Sequence, residues 1–317
     1  MNSATRMTGR RIPSLDGLRA ISIVLVLISH AQPPGTHPFW FQLLFLHADL
    51  GVRIFFVISG FLITTLLLQK QSLKEFYIRR ARRILPAFVV FLICAWLLGA
   101  PKADWPYVLT WTVNFDPHPA WMIGHLWSLS VEEQFYILWP LAIAFAGKRT
   151  WTVIAVAAVF AFPLKAINPA LHYAFPVVCG PIALGCLLAL YPVRVKVPAW
   201  MFVPVILVLD AYDVRFVVNI LVALCVARVV SVPPAALNWK PVIWLGKISY
   251  SLYLFQQLFL DSISGKPAIP LPFPLNIAGA AALATASYYF IEQPMRRPRY
   301  STSPDDSIRK TRLSSAA

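Results

Sequence analysis

The sequence predicts an all-α protein: a polytopic membrane helix bundle of about ten transmembrane helices, with both termini cytoplasmic. Three observations carry that expectation. First, 58% of the 317 residues are hydrophobic and 13% charged, with a mean hydropathy of +0.66; an ordinary soluble domain carries about 25% charged residues. Second, apolar stretches close to the roughly 20 residues a bilayer requires follow one another almost without gaps. Third, Lys and Arg alternate in density from one inter-stretch segment to the next. This composition excludes an intrinsically disordered chain and argues against a soluble globular enzyme. It also argues against a simple nucleic-acid binder, despite the net charge of +15.

In chain order the stretches are 15–32, 50–69, 84–100, 131–147, 150–164, 172–191, 198–213, 215–231, 241–260 and 274–292. The division between the seventh and eighth is the least sharply marked. With the N-terminus inside, only Arg53, Lys102, Lys165, Arg215 and Lys266 of the 28 Lys and Arg residues fall outside, leaving 23 on the inner side. That is the positive-inside distribution, and removing one span would invert everything downstream of it. The basic excess therefore mainly reports membrane topology. No cleavable leader follows the apolar run from Ile21. Cys94, Cys179, Cys186 and Cys225 all fall within spans, as small apolar core residues.

Some segments differ from plain spans. Residues 101–130 form the longest outer loop, with Trp105, Trp111, Trp121 and Trp127 suited to an interfacial lid. Ser72 to Arg83 reads as an amphipathic helix lying on the inner surface, Phe76 and Tyr77 toward lipid, with Pro86 in the first turn of the next span. The expected organisation is a membrane-embedded domain over 1–297 and a disordered cytoplasmic tail over 298–317.

Ionisable groups at membrane depth are expensive and mark functional candidates. Arg19 and His30 are eleven residues apart, three helical turns plus about 20°, so they share one helix face about 16 Å apart along the axis. Two readings stand: a topology anchor and a helix-end histidine, or an anion site at the inner mouth below a titratable imidazole near the middle of the bilayer. Ser59, Gly60 and Thr64 suit close helix packing. Arg79, Arg80, Arg82 and Arg83 form an all-Arg cluster that suits bidentate phosphate recognition. In the run from His125 to Tyr136, Ser128 or Ser130 could cap a helix that carries Glu132 and Glu133 in its first turn. Capping accounts for one glutamate. The other is available to orient an imidazole or to bind a hydroxylated substrate. Gly246 to Tyr253 reads as interhelical packing first and substrate path second. No metal site is expected, since no His, Cys and carboxylate set has ligand spacing.

The Leu15-Asp16-Gly17-Leu18-Arg19-Ala20 run with His30, the Phe55–Ile63 segment, the Phe76–Pro86 arginine run, the His125–Tyr136 run, Gly246–Leu254 and Glu292-Gln293-Pro294, taken in order, resemble the acyltransferase family 3 membrane proteins. The resemblance covers nearly the whole chain. It implies a membrane-bound O-acyltransferase that takes an acyl group, usually acetyl, from cytoplasmic acyl-CoA to a hydroxyl of an extracytoplasmic or lipid-linked carbohydrate or glycolipid. It matches Arg19 and His30 to the family's arginine-ten-residues-histidine motif, and Arg80 and Arg83 to the donor-binding arginines. Arg19, Arg79, Arg80 and Arg83 are the expected acyl-CoA contacts. His30 and Glu132 are the expected catalytic pair, the carboxylate holding the imidazole's tautomer, and Trp127, Ser128, Glu133 and Tyr136 the expected acceptor contacts. His30 either acts as base for direct transfer or is transiently acylated. Two departures stand out: the hydrolase-like domain that some members append is not seen, and Gln256-Gln257 stand where many relatives carry a histidine. The rival class is a polytopic transporter or flippase with an intramembrane Arg/His relay.

Overall fold

Backbone polar groups in apolar surroundings must be satisfied within their own segment, and the chain answers with helices. The computed structural model describes residues 12–31, 47–69, 72–146, 149, 173–174, 178–262 and 266–296. Among these residues there are helical elements and no strands. The longer helices are α1 (Pro13–His30), α2 (Ala48–Leu68), α3 (Leu73–Leu97), α4 (Leu126–Ala146), α5 (Gly180–Leu190), α6 (Ala199–Ala211), α7 (Arg215–Ser231), α8 (Lys240–Phe255) and α9 (Leu275–Ser287). Beyond α9 the chain widens into one i→i+5 turn, Tyr288–Glu292, and ends in Gln293–Arg296.

The helices agree with the expected order and differ from it at two boundaries, while a third is borne out. The surface helix expected before Pro86 and the span expected after it are one 25-residue helix, α3, capped by Ser72, whose Oγ accepts from the Glu75 N–H at 3.2 Å. Pro86 lies inside it and not in its first turn; one missing N–H does not outweigh burial of Phe76, Ile84, Phe88 and Phe91 along one face. Helix α4 begins at Leu126, so Ser128 and Ser130 lie within it rather than at its cap. The doubtful division near residue 214 is real: Tyr212 to Val214 turn the chain between α6 and α7, with Asp213 at φ 56°.

Two described helices, Pro13–His30 and Asp49–Leu68, are by themselves long and apolar enough to cross a membrane, and Gly180–Leu190 and Ala199–Ala211 are apolar but shorter. The expected count of ten spans is thus not reproduced among the described residues. The span at 150–164 and the tail at 298–317 lie outside them. The outer surface nonetheless carries many exposed large apolar side chains, among them Trp96, Leu97, Phe145, Trp200, Phe216 and Phe290, far beyond the scattered apolar surface of a soluble monomer.

Packing joins the helices in three apolar clusters. One lies between α1, α3, α8 and α9 (Ile23, Phe88, Phe91, Leu252, Phe255, Ala284), and the short helices of the 101–125 segment close over it through Val108, Val113 and Ile123. A second joins α1, α2, α6 and α7 (Leu18, Val57, Ile58, Ile206, Val222). The third joins α2, α3, α4 and α5 (Phe56, Phe76, Ile84, Phe135, Trp139, Ile182). The α2–α5 crossing is close from both sides: a Cβ at Gly60 would stand 2.1 Å from the Ile182 carbonyl oxygen, and one at Gly185 would stand 2.1 Å from that of Val57. Small residues on both partners let the backbones touch.

That reciprocal contact yields a stability prediction. Gly185→Val forces the two backbones apart and should destabilise the protein by about 3 kcal/mol or more, read as a lowered midpoint of thermal unfolding in detergent. An unchanged midpoint would show that the crossing is not fixed by backbone contact.

Candidate functional site

The first turns of α1, the last turns of α2, the first half of α3, the first half of α8 and the Tyr288–Arg296 segment meet at one end of the bundle. They enclose an open cavity of about 540 Å³, within the range of small-molecule sites. Its lining holds Arg19, Arg79, Arg80, Arg83, Lys247 and Arg296, against Asp16 alone among acidic residues. Three of these cations have carboxylate partners: Arg19 with Asp16 at 3.3 Å, the outlying Arg79 with Glu75 at 3.5 Å, and Arg296 with Glu292. Arg80, Arg83 and Lys247 have none among the described residues. Arg80 lies instead over the Tyr136 ring, 4.0 Å from its centroid, a cation–π contact. Phe76, Arg80 and Arg83 fall on one face of α3 because they are spaced by four and three residues. Arg79 is 70% exposed at the rim, and Arg82 lines neither this cavity nor the next one.

Arg19, Arg80 and Arg83 also line a smaller chamber further in, of about 70 Å³, walled by Phe55, Phe56 and Tyr250 and carrying Ser59, Ser128, Glu132, Tyr136, Ser249 and Tyr253. Ser59 Oγ donates to Glu132 Oε1 and lies 3.4 Å from the Tyr136 hydroxyl. Two of the chamber's hydroxyls, Ser128 Oγ and Tyr253 Oη, pair with each other 2.6 Å apart. The Tyr253 hydroxyl also donates to the His125 carbonyl.

His30, the last residue of α1, lines neither cavity. It is a helix-end residue, as one of the two readings held, yet its ring turns into the protein. Its Nδ1 is 2.9 Å from Gln256 Oε1, and its ring meets Trp121 edge-on with centroids 5.2 Å apart. Gln257, the next residue, holds His125: Oε1 lies 2.7 Å from Nδ1 and accepts the His125 backbone N–H at 3.3 Å. His125 Nε2 faces the Leu254 carbonyl at 3.1 Å.

Seven of the sequence-predicted site residues therefore gather in the two cavities: Arg19, Arg79, Arg80, Arg83, Ser128, Glu132 and Tyr136. His30, Trp127 and Glu133 do not line them. The expected Glu132–His30 contact is absent: Ser59, not the imidazole, engages the carboxylate, and Gln256 takes the place intended for it. Trp127 stacks on Tyr173, centroids 4.3 Å apart, with its edge toward Phe56. Glu133 Oε1 is buried with no hydrogen-bond partner, a costly state for a carboxylate oxygen. Sequence reasoning gives Gln256 no site role, and Lys247 and Tyr253 only a secondary one, as part of a substrate path. The available signal was a pair of amides inside the apolar run from Leu252 to Phe259. Among the described residues no group of three or more His, Cys, Asp or Glu side chains is arranged to hold a metal.

A family model described as an acyltransferase domain matches residues 12–292. Among curated proteins, O-acetyltransferase OatA of Staphylococcus aureus (strain NCTC 8325 / PS 47) is 29% identical to this chain, over 91% of it and 58% of the relative. The protein named "Putative peptidoglycan O-acetyltransferase YrhL", of Bacillus subtilis (strain 168), is 29% identical over 90% of this chain and 55% of its own length. The chain thus spans less than two thirds of the curated relatives it matches. No solved structure matches it.

A cavity with that cation excess is built for a polyanion, which gives a prediction independent of any reaction. Inorganic triphosphate or CoA should raise the thermal midpoint of the detergent-solubilised protein, with an apparent affinity that falls as salt rises. Replacing Arg80 and Arg83 together by Gln should weaken that binding about tenfold or more; equal binding by the double variant would place the anion elsewhere.

Proposed function

The chain belongs to the acyltransferase family whose domain model spans residues 12–292, and from that premise we propose that it is an O-acetyltransferase of glycans. In this reading it is a multi-pass protein of the bacterial cytoplasmic membrane. It moves an acetyl group from cytoplasmic acetyl-CoA to a hydroxyl of an extracytoplasmic or lipid-linked carbohydrate. The exposed apolar belt supports immersion in lipid, where such side chains lose nothing by facing outward. The names of the relatives support an O-linked carbohydrate acceptor, peptidoglycan among them.

The observation that carries the proposal is the sharing of Arg19, Arg80 and Arg83 by the open cavity and the inner chamber. CoA is a polyanion with a neutral thioester at the end of a long arm. Its phosphates suit the guanidinium-rich mouth, while the arm points into the narrower chamber, whose wall adds the hydroxyls of Ser59, Ser128 and Tyr253. The reaction needs the Ser128–Tyr253 pair to part, so that the thioester meets the imidazole of His30. There the acceptor hydroxyl gives its proton to His30 as its oxygen attacks the thioester carbonyl. The new C–O bond forms, the C–S bond breaks, and the departing sulfur takes the proton back from the imidazolium. Free CoA and the acetyl ester are the products.

His30→Ala should lower transfer by about 10³-fold or more while the protein stays folded and inserted. Arg80→Ala should raise the apparent KM for acetyl-CoA about tenfold with a smaller change in kcat. Both are read as CoA release from proteoliposomes with and without candidate glycans. Flux of a solute without CoA release would instead favour the transporter class, and full activity of the His30 variant would remove the imidazole from the mechanism.

A further inference from the structure

Gln256 is wholly buried, 0% exposed, in the turn that follows α8. We propose that Gln256 is the positioning residue for His30: its Oε1 accepts the imidazole Nδ1–H and so holds the tautomer in which Nε2 is the free proton acceptor. The inference deepens the acetyl-transfer reading and rests on it.

The argument is one of hydrogen-bond capacity. A neutral imidazole has a single N–H, and an amide oxygen only accepts. With Gln256 Oε1 2.9 Å from Nδ1, the proton belongs on Nδ1 and the lone pair on Nε2. A buried oxygen beside the ring also fixes its rotation, because turning the ring would leave that oxygen without a donor in a site where it has no other partner. The amide's remaining group, Nε2, is buried with no partner at all. A side chain kept for packing alone would not carry that penalty, and a near-isosteric methionine would avoid it. Because the amide is neutral, it holds the tautomer in place without the strong charge stabilisation that a carboxylate would give the imidazolium. The titratable group that faces His30 from the packed elements is His125, whose Nδ1 is bound in turn by Gln257 Oε1; Trp121 covers the ring's other side without charge.

The test compares Gln256→Met and Gln256→Glu with the parent protein in proteoliposomes, reading kcat, the KM for acetyl-CoA and the pH profile of kcat/KM. Correct assembly of each variant is checked by its thermal midpoint. Gln256→Met removes the acceptor at nearly constant volume and should lower kcat about 10- to 100-fold with the donor KM within about twofold. Gln256→Glu keeps an oxygen acceptor and should recover much of that loss. Its charge should also move the acidic limb of the profile upward by about one pH unit or more. Parental kcat in Gln256→Met, or a Gln256→Glu variant no better than it and with an unmoved limb, overturns the assignment. His30→Ala separates the two levels: an inactive His30 variant beside a fully active Gln256→Met leaves the acetyl-transfer reading standing and sinks only this one.

Discussion

The contact on which both ends of the site depend is the close approach of α1 and α8. A Cβ at Gly246 would stand 1.8 Å from the Asp16 carbonyl oxygen, so the two backbones touch where α1 begins. From that fixed point α1 carries Arg19 and then His30, while α8 carries Lys247, Tyr250 and Tyr253 and hands the chain to Gln256. Both helices run away from the cationic end in the same direction. One pivot therefore sets the composition of the mouth, the chamber wall and the imidazole's cradle together. The His30–Gln256 hydrogen bond is the second point of attachment, and two points are enough to fix one rigid helix against another.

Electrostatics explains why the mouth is open rather than collapsed. Like unit charges about 8 Å apart repel by about 2 kcal/mol at an effective dielectric of about 20, and Arg80 and Arg83 are neighbours on one helix face. Such a group is stable only with water, aromatic faces or anions between its members. Tyr136 beneath Arg80 supplies one aromatic face, and Asp16 and Glu292 neutralise two of the others. What remains is a positive excess facing an accessible cavity. A bound polyanion would relieve the repulsion, which ties the anion's affinity to the strain the site bears without it.

Much of this was legible in the sequence where a period or a residue type leaves few alternatives. The eleven-residue spacing of Arg19 and His30 puts them on one helix, and α1 contains both. The arginine run had to come near Arg19, because the topology returns it to the same side, and it does. The failures are of another kind. Pro86 was read as a helix start because proline is common there, but burial along the α3 face overrides that local preference. Ser128 or Ser130 suits a cap because serine caps helices; in the structure Ser128 pairs instead with the Tyr253 hydroxyl, 125 residues away. Glu132 was assigned to His30 by charge and chemistry, while its partner is Ser59 of α2. Pairings between distant segments depend on how helices rotate about their axes, and no local pattern encodes that.

The separation of the arginines from the imidazole also fits the chemistry of a thioester. An activated acyl group beside a histidine base hydrolyses if water reaches both. Here the charged mouth must be wet, since guanidinium groups and phosphates keep their hydration, whereas His30 lines neither cavity and its ring lies against Trp121 and Gln256. In the proposed reaction, charge handling and proton transfer fall in separate places, and the donor's arm has to pass the Ser128–Tyr253 pair to join them. Hydroxyl groups suit that position better than apolar ones. When parted they still find hydrogen-bond partners along a polar arm, so opening exchanges one bond for another instead of exposing a dry seam. A closure made of leucines would stay shut against an amide-bearing chain, and one made of charges would let water through.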